Sequence, residues 1–193
     1  HKEISEFAFE CVNINFSDVI LDIGCGGGYN IKRMLGRCRQ GKIVGYDISE
    51  ESIRKARKVN KGEHRVEIIR GSVEKTPFGD NQFDLATAFE TIFFWPNAAK
   101  NLKEVFRILK SSGQLAIINN YGDPNIDWEK KIPCMTFSHF SLPGLKKCWD
   151  AGACLQKPRF TRLKGSVPFR KLALLNPNIS RSEERRVGKE CRS

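Results

Sequence analysis

Short apolar runs alternate along the chain with longer stretches in which apolar and charged residues are mixed. The apolar runs are bounded by glycine, asparagine or charged residues, as is typical of buried strands in a parallel sheet. They cover residues 19–23, 42–46, 66–70, 81–89 and 114–119. The mixed stretches predict helices over 29–39, 50–60 and 97–109, the last one ended by Gly113. Strands that alternate with helices predict an α/β domain with a mostly parallel sheet.

Both ends of the chain add elements to this pattern. Apolar residues spaced as on one face of a helix predict an amphipathic helix over residues 2–12. Towards the other end we expect a helix over 138–151 and two strands, 159–164 and 167–175, that form an antiparallel pair closing the sheet. The expected fold is a mostly parallel seven-stranded sheet with an antiparallel final strand and helices on both faces.

The length of 193 residues suits one domain, which we place at residues 1–180. The last segment, 181–193, has no apolar periodicity and differs in composition from the rest. It resembles the translation of a common sequencing-library adapter, so we expect that it is not part of the natural protein. The chain begins with His1 and not with methionine, so we expect an incomplete N-terminus as well.

The first strand runs directly into a glycine-rich turn, V-I-L-D-I-G-C-G-G-G-Y-N, from Val19 to Asn30. Gly24 and Gly26 can adopt positive φ and leave no Cβ in the way of a ligand. The helix that follows directs free backbone N–H groups towards that ligand. Asp22 lies near the C-terminal edge of the strand, where open α/β sheets bind their ligands. This pattern indicates a cofactor site.

An acidic residue, Asp47, comes directly after the second strand. An acid at this place can accept hydrogen bonds from a ribose diol, so it indicates a ligand that carries adenosine. Nicotinamide dinucleotides are one candidate, but their G-x-G-x-x-G/A fingerprint requires a small residue where this chain has Tyr29. Ser49 is a better N-cap than Asp47 for the following helix, which favours a binding role for Asp47.

The string D-I-G-C-G-G-G closely resembles motif I of class I S-adenosylmethionine-dependent methyltransferases, D/E-x-G-x-G-x-G, with Asp22, Gly24, Gly26 and Gly28 at its defined positions. Residues 71–78 resemble the G-D-A-x-x-L-P-F segment of that family. The family phrase D-N-x-F-D has its counterpart in the run that ends at Asp84. The family phrase E-x-x-R-V-L-K-P-G-G-x-L has its counterpart in residues 104–115. The chain is most similar to the bacterial, small-molecule "type 11" subgroup, and the resemblance is dense over 19–119 and thinner over 137–175.

The resemblance implies a Rossmann-like fold and an enzyme that moves the methyl group of S-adenosylmethionine to an acceptor. It places the methionine end of the cofactor on Asp22 and the three glycines, and the ribose on Asp47. It places the adenine beside Ser72 and Val73, although the family usually has an acid where this chain has Ser72. Two neighbours complete the expected cofactor-binding set: Ile48 and Phe89.

Glu90 lies at the end of the fourth strand, where the transferred methyl group is expected. A carboxylate there can orient a substrate, act as general base or bind the cationic amino acid end of the cofactor. The alternative is a loop carboxylate that bonds to nearby backbone. His139 ranks below Glu90 as a candidate base. The run Phe93, Phe94, Trp95 can form an aromatic wall near the sulfonium, but core packing is expected for at least two of the three.

Composition narrows the remaining possibilities. The seven cysteines are scattered without a C-x-x-C motif, which favours a reducing cytoplasm and predicts no metal site. Cys25 is expected to fill space in the loop and not to act as a nucleophile. The sequence has no apolar run long enough for a membrane span, and its charged N-terminal stretch leads us to expect no signal peptide.

The net charge of +11 makes nucleic acid a possible partner. A small-molecule acceptor is favoured over it, because the sequence has no added RNA-binding module and no segment for a flipped base. Three alternatives to the small-molecule enzyme stay open: an NAD(P)-binding oxidoreductase, an RNA methyltransferase and a non-catalytic binding protein. The sequence does not fix the acceptor or the oligomeric state.

Overall fold

A computed structural model describes residues 5–6, 8–9, 12–119, 159–162 and 171–175 of the chain. They form a seven-stranded sheet in the order β3-β2-β1-β4-β5-β7-β6. The strands are β1 Val19–Ile23, β2 Lys42–Asp47, β3 Val66–Arg70, β4 Phe83–Phe89, β5 Leu109–Asn119, β6 Arg159–Arg162 and β7 Lys171–Leu175. Strands β1 to β5 are parallel, β7 is antiparallel to β5, and β6 is antiparallel to β7. The predicted sheet is therefore confirmed.

The strand order reverses between β1 and β4. From β1 the chain moves outwards to β2 and β3, and then crosses back to place β4 on the other side of β1. The carboxyl ends of β1 and β4 are thus neighbours. From β1 the chain continues to β2 on one side, and from β4 it continues to β5 on the other side. Open α/β sheets bind ligands in the crevice at such a point.

Among the described residues, three α-helices connect strands β1 to β5: α1 Tyr29–Leu35, α2 Glu50–Val59 and α3 Ala98–Ile108. A short 3₁₀ helix, Ile92–Phe94, follows β4. Ser49 caps α2 as predicted, since its side chain accepts a hydrogen bond from the Ser52 amide at 3.3 Å. Helix α1 is shorter than the predicted 29–39, because Gly36 follows its last residue and its amide already bonds the carbonyls of Arg33 and Met34.

The two ends of the chain are described only in part. Ser5, Glu6, Ala8 and Phe9 are helical, in agreement with the predicted N-terminal helix, and the rest of residues 2–12 except Val12 lies outside the described residues. The predicted helix 138–151, His139 and the segment 181–193 lie outside them as well.

Helices cover both faces of the sheet. On one face, Leu102 and Val105 of α3 pack in a buried cluster with Leu21 of β1. On the other face, Ile31 and Met34 of α1 pack in a second cluster with apolar residues of β1, β2 and β4. Neighbouring residues of one strand belong to different clusters because side chains alternate across a sheet. The predicted helices on both faces are confirmed.

The connection from α3 to β5 differs from the prediction. Helix α3 ends at Ile108, and β5 starts at Leu109, not at residue 114. Gly113 therefore lies inside the strand and does not end the helix. A Cβ on Gly113 would come within 2.9 Å of the carbonyl oxygens of both Lys110 and Phe83. Gly113 is needed for this close approach, at the register shift between β4 and β5.

Asp84 fixes the start of the central strands. Its Oδ2 accepts a hydrogen bond from the Val19 amide at 2.9 Å, and Lys110 Nζ lies 2.8 Å from the same oxygen. One carboxylate thus joins β4 to the beginnings of β1 and β5. Asp84 thus positions these strands, at the edge of the sheet opposite the ligand crevice.

Candidate cofactor and active site

The turn between β1 and α1 has the left-handed backbone that its glycines were expected to supply. Gly24, Gly26 and Gly28 have φ of 70°, 52° and 75°. A Cβ on Gly24 would come to 2.1 Å from Thr91 Oγ1, whereas a Cβ on Gly26 would meet nothing within 4 Å. Gly24 therefore lets the turn pack against the residues after β4. Gly26 leaves open space next to the backbone.

Gly28 packs against α2 and so differs in environment from Gly24 and Gly26. It is buried where α1 meets α2, and an added Cβ would come to 2.6 Å from Asn60 Nδ2 and 3.0 Å from Ala56 Cβ. Asn60 Nδ2 in turn donates to the Gly28 carbonyl at 3.1 Å. Gly28 lines neither of the cavities described below, so it supports the turn by allowing the helices to pack closely.

Asp47 holds the glycine turn from the end of β2. Its Oδ2 accepts a hydrogen bond from the Gly26 amide at 2.9 Å, and its Oδ1 accepts one from the Ser49 amide at 2.8 Å. The carboxylate is half-buried and also lines a cavity. Each carboxylate oxygen has a second lone pair, so Asp47 can bond a diol while it still holds the turn.

Asp22 is the most deeply buried acid of the site, with 1% of its surface exposed. Its Oδ1 accepts a hydrogen bond from Thr87 Oγ1 at 2.7 Å, and within the described part of the chain its buried Oδ2 has no hydrogen-bond partner. Burial raises the pKa of this carboxyl from 3.8 to about 7, opposed by the Thr87 bond and assisted by the charge of Asp47. A buried oxygen without a partner suits a cationic or N–H ligand.

A cavity of about 310 Å³, which we call the first cavity, opens at the carboxyl ends of β1, β2 and β4. It brings together most of the residues that the sequence predicted for the cofactor. They are Gly24, Asp47, Ile48, Ser72, Val73, Phe89 and the candidate base Glu90. Asp22, Gly26 and Gly28 do not line it.

The adenine segment after β3 lies at one end of the first cavity. Ser72 Oγ donates to Glu74 Oε2 at 3.3 Å and accepts from the Glu74 amide at 3.3 Å, and Tyr46 Oη donates to the Ser72 carbonyl at 3.1 Å. Glu74 also lines the cavity. It thus supplies a carboxylate close to Ser72, where the related segment has its acid. Sequence reasoning missed Glu74, although an acid two residues after the expected position was a visible signal.

A charged network anchors this segment to α3. Glu104 Oε1 accepts hydrogen bonds from the amide of Thr76 at 2.9 Å and from its hydroxyl at 2.6 Å. Arg107 bonds both oxygens of Glu104, the Phe78 carbonyl and Asp80. The Arg107 guanidinium, assisted by Thr76, lowers the pKa of Glu104 from 4.5 to about 2. The network holds the segment that carries Ser72 and Val73 in place.

Glu90 has an unusual backbone conformation. Its φ is 55°, in the left-handed region that non-glycine residues seldom adopt, and its amide donates to the Ile118 carbonyl at 2.8 Å. Holding a non-glycine residue there costs on the order of 1–3 kcal/mol, and such residues cluster at functional sites. Glu90 lines the first cavity and also a second one.

The second cavity, of about 350 Å³, lies over the glycine turn. It shares Gly24, Phe89 and Glu90 with the first cavity, so the two meet at the ends of β1 and β4. Its other lining residues are Ser5, Cys25, Gly26, Gly27, Tyr29, Asn30 and Arg33. Sequence reasoning did not single out Asn30 or Arg33, because neither belongs to a motif.

The aromatic run after β4 divides as expected. Phe93 and Trp95 are buried in the core, with 6% and 3% of their surface exposed. Phe94 is 61% exposed and lines the first cavity. Core packing therefore accounts for two of the three residues, and Trp95 together with Phe94 also borders the site.

Cys25 is a filler of the turn and not a nucleophile. It is buried, and burial together with the nearby charges of Asp22 and Asp47 raises the pKa of its thiol well above the ordinary value. The thiol therefore stays protonated at neutral pH, whereas a nucleophile requires the thiolate.

The described residues give no sign of a metal site or a membrane span. Among them, no three potential ligands from histidine, cysteine, aspartate and glutamate come together. None of the described helices has the length and apolar character to cross a bilayer.

The strand order and the site together define a Rossmann-like domain with a crevice for an adenosine-bearing ligand. Residues 21–117, half of the chain, match the model of the type 11 methyltransferase domain. The chain belongs to this family. The predicted class, S-adenosylmethionine-dependent methyltransferases of class I and type 11, is thereby confirmed.

Individual relatives agree with this assignment. The chain is 30% identical over 119 residues to the uncharacterized methyltransferase YdaC of Bacillus subtilis, covering 61% of this chain and 64% of that protein. It is 34% identical over 116 residues to a demethylmenaquinone methyltransferase of Listeria welshimeri, covering 58% and 49%. The chain thus spans from about half to just under two thirds of the length of these curated relatives.

A solved structure shows the same fold. The S-adenosylmethionine-dependent methyltransferase of Aquifex aeolicus superposes with a TM-score of 0.67 at 22% identity, covering 90% of this chain and 87% of that one.

Proposed function

We propose that this domain transfers a methyl group from S-adenosylmethionine to a small-molecule acceptor. The observation that carries the proposal is the pair of carboxylates at the ends of neighbouring strands. Asp22 has a buried oxygen without a partner in the described region, and Asp47 borders the first cavity while it holds the glycine turn. The cofactor has a cationic amino group and a ribose diol, which are the two groups that such carboxylates bind.

In this proposal each part of the crevice binds one part of the cofactor. Asp47 accepts the ribose hydroxyls, while Ile48 and Val73 pack against the adenine and Ser72 with Glu74 bonds its edge. The amino acid end is held by the free oxygen of Asp22 and by the turn at Gly24 and Gly26. Phe89 lines the path between the two ends of the cofactor. Gly28 contributes through helix packing. When bound, the cofactor supplies an electrophilic methyl group.

Glu90 is the proposed general base. It lines both cavities, so it faces the place where an acceptor meets the end of the cofactor chain. Its left-handed backbone supports a functional role, because non-glycine residues held in such conformations cluster at functional sites. Glu90 takes a proton from the acceptor when the attacking atom carries one.

A small molecule is the proposed acceptor. The first cavity is a crevice bordered by the exposed ring of Phe94, and the Listeria welshimeri relative is named for a small acceptor, demethylmenaquinone. We also propose a cytoplasmic location. The described cysteines, Cys25 and Cys38, are free thiols, as is usual in a reducing compartment.

The structure weakens the alternative that the chain is an NAD(P)-binding oxidoreductase. Tyr29, at the third position of the dinucleotide fingerprint, is 54% exposed, and Gly28 makes the close packing contact with α2. The fingerprint spacing for nicotinamide cofactors is therefore not followed. An RNA methyltransferase and a non-catalytic binding protein are outcomes that the experiments below distinguish.

Thermal unfolding with and without S-adenosylmethionine tests the cofactor. A ligand at 100 times its Kd adds about 2.7 kcal/mol to the unfolding free energy, so the wild type should unfold at a clearly higher temperature with the cofactor. Asp47→Ala should lose this shift. Glu67→Ala, which removes an exposed acid from β3, should keep it. Equal shifts in all three proteins would contradict the assignment of the ribose to Asp47.

Glu90→Gln tests the chemical role. The variant should bind S-adenosylhomocysteine like the wild type and transfer methyl groups about 100-fold more slowly or worse. The readout is labelled methyl transfer to a panel of phenols, quinols, amines and thiols, with transfer RNA as a further acceptor. Transfer only to RNA would favour the RNA alternative. Cofactor binding without transfer to any acceptor would favour a non-catalytic protein.

A further inference from the structure

A group of basic side chains lies at the edge of the sheet opposite the ligand crevice, where the parallel strands begin. The proposed function does not use it. Five exposed residues, at the end of α1, the start of β2 and the end of α2, form this group, which we call the basic edge: Arg37, Arg39, Lys42, Lys58 and Lys61. Within the described part of the chain none of the five forms an ion pair with an acid.

Hydrogen bonds between two loops hold these bases side by side. Arg65 Nη1 donates to the Cys38 carbonyl at 2.6 Å and so joins the loop after α2 to the loop after α1. The parallel pairing of Ile43 with Val66 then sets Lys42 beside Arg65. Bases from three elements, distant in sequence, therefore share one surface.

The described acids of this edge are engaged with other side chains. Glu63 pairs with Arg65 at 3.0 Å. Three further acids are each bonded to a neighbouring side chain: Asp18 to Asn15, Asp80 to Arg107 and Asp84 to Lys110. The charges of the basic edge are thus left for an anion from outside the domain.

An exposed aromatic residue borders the basic edge. Phe16 has 50% of its surface exposed, and its carbonyl accepts hydrogen bonds from the amides of Gln40 at 2.8 Å and Gly41 at 3.2 Å. Since these two residues lie between Arg39 and Lys42, Phe16 is held next to both bases. Proteins that bind single-stranded nucleic acid combine these two features, because phosphates meet the cations while a nucleobase stacks on the ring.

We propose that the basic edge and Phe16 bind a single-stranded nucleic acid, with its phosphates on the bases and one nucleobase stacked on the Phe16 ring. A phosphodiester strand carries one charge for each nucleotide, so it can meet several bases of this edge at once. The inference does not rest on the proposed function. The surface lies opposite the crevice, so the nucleic acid is a docking partner and not the methyl acceptor.

An anionic membrane fits this edge less well. Among the described residues the other large apolar side chains that are exposed line the two cavities at the crevice: Tyr29, Ile48 and Phe94. Phe16 alone offers little apolar area to insert between lipids. A membrane bound at the basic edge would also leave the crevice facing away from the lipid.

Fluorescence anisotropy of the full chain with a labelled single-stranded RNA tests the electrostatic part. The logarithm of the association constant should fall against the logarithm of the salt concentration with a slope of about −3.5, since each of five phosphate contacts contributes about −0.7. Lys42→Gln combined with Lys61→Gln should reduce the slope to about −2 and weaken binding at low salt at least about tenfold.

The matched control removes two exposed lysines from the other face of the sheet. Lys100→Gln combined with Lys103→Gln takes the same charge from α3 and should keep the wild-type affinity and slope. Calorimetry with S-adenosylhomocysteine on both double variants checks the crevice, which neither of them alters, so both should bind this ligand like the wild type.

Phe16→Ala tests the stacking part. The variant should bind the RNA about fivefold more weakly or worse, while inorganic polyphosphate, which has no nucleobases, should bind it like the wild type. Phe16→Tyr keeps the ring and should keep the affinity for RNA. The comparison of two ligands on one protein separates stacking from folding, because a general loss of structure weakens both alike.

Several results would overturn the inference. Equal weakening by the two lysine double variants would show that net charge alone attracts the RNA. An unchanged affinity of Phe16→Ala for RNA would remove the stacking contact. Tighter binding of polyglutamate or of phosphatidylglycerol vesicles than of RNA at the same salt concentration would assign the edge to an acidic protein or to a membrane. A wild type that binds RNA as described but not S-adenosylhomocysteine would contradict the proposed function and leave this inference intact.

Discussion

Asp47 Oδ2 accepts a hydrogen bond from the Gly26 amide at 2.9 Å, so the acid at the end of β2 holds the glycine turn at the end of β1. The same carboxylate lines the first cavity. Under the proposed function, structure and binding thus depend on one side chain. A substitution at Asp47 is expected to affect both the turn and the ligand, and the two effects can be measured separately.

The structural part is a loss of stability without any ligand. Asp47→Ala leaves the amides of Gly26 and Ser49 without their acceptors, and it should lower the free energy of unfolding by about 1–3 kcal/mol. Urea denaturation of the wild type and the variant measures this. Glu67→Ala is the control and should change stability by less than about 0.5 kcal/mol. Equal stabilities for the wild type and Asp47→Ala would mean that the turn does not need this carboxylate.

Gly24 and Gly26 should respond differently to the same substitution. Both have positive φ, which costs an alanine about 1 kcal/mol. Gly24→Ala also places its Cβ against Thr91 and should destabilise the domain strongly. Gly26→Ala meets no such obstacle, so it should lose only about the backbone cost but weaken S-adenosylhomocysteine binding, because its Cβ projects into the open space. Denaturation and calorimetry on the pair test this, and equal stability losses would refute it.

The buried Asp22 predicts a dependence of stability on pH. In the folded domain the carboxyl has a pKa of about 7, against 3.8 ordinarily. Between these values the folded state binds more protons than the unfolded state, so the contribution of Asp22 to stability falls as the pH rises from about 4 to about 7. Asp22→Asn, which cannot ionise, should therefore gain stability relative to the wild type across this range. Urea denaturation of both proteins at several pH values measures the difference, and a difference independent of pH would show that Asp22 ionises normally.

Glu104 predicts a dependence of opposite sign. Its pKa is lowered from 4.5 to about 2, so its contribution is complete above about pH 4.5 and is lost as the pH falls towards 2. Glu104→Gln should cost about 1–3 kcal/mol at pH 7, and the cost should shrink at pH 3. The matched control is Asp80→Asn, which removes the more exposed partner of Arg107 and should cost less than about 1 kcal/mol. A cost for Glu104→Gln that does not change with pH would contradict the network.

The sequence predicted the sheet well because strands β1 to β5 are buried apolar runs and glycines mark the first turn. It failed where side chains alone do not determine backbone geometry. Gly113 looked like a helix terminator, but its function is to let β5 pass close to the Phe83 carbonyl. That contact joins residues distant in sequence, so no local pattern predicts it.

In the candidate site, too, some residues could be predicted from the sequence and others could not. Asp47 and Asp22 follow from motif spacing, because the ends of adjacent parallel strands meet. Glu74 occupies an undefined position of the adenine segment, and Arg33 belongs to no motif. Glu74 is placed by its hydrogen bonds with Ser72, and Arg33 by the course of α1 over the turn. Their positions depend on how loops and helices pack, which the order of residues alone does not reveal.

Calorimetric titration of the chain with S-adenosylhomocysteine and, separately, with NADH tests the central claim most directly. The proposed function predicts one site per chain with micromolar affinity for S-adenosylhomocysteine and no measurable binding of NADH. Binding of NADH with no binding of S-adenosylhomocysteine would contradict the claim and assign the crevice to a nicotinamide cofactor.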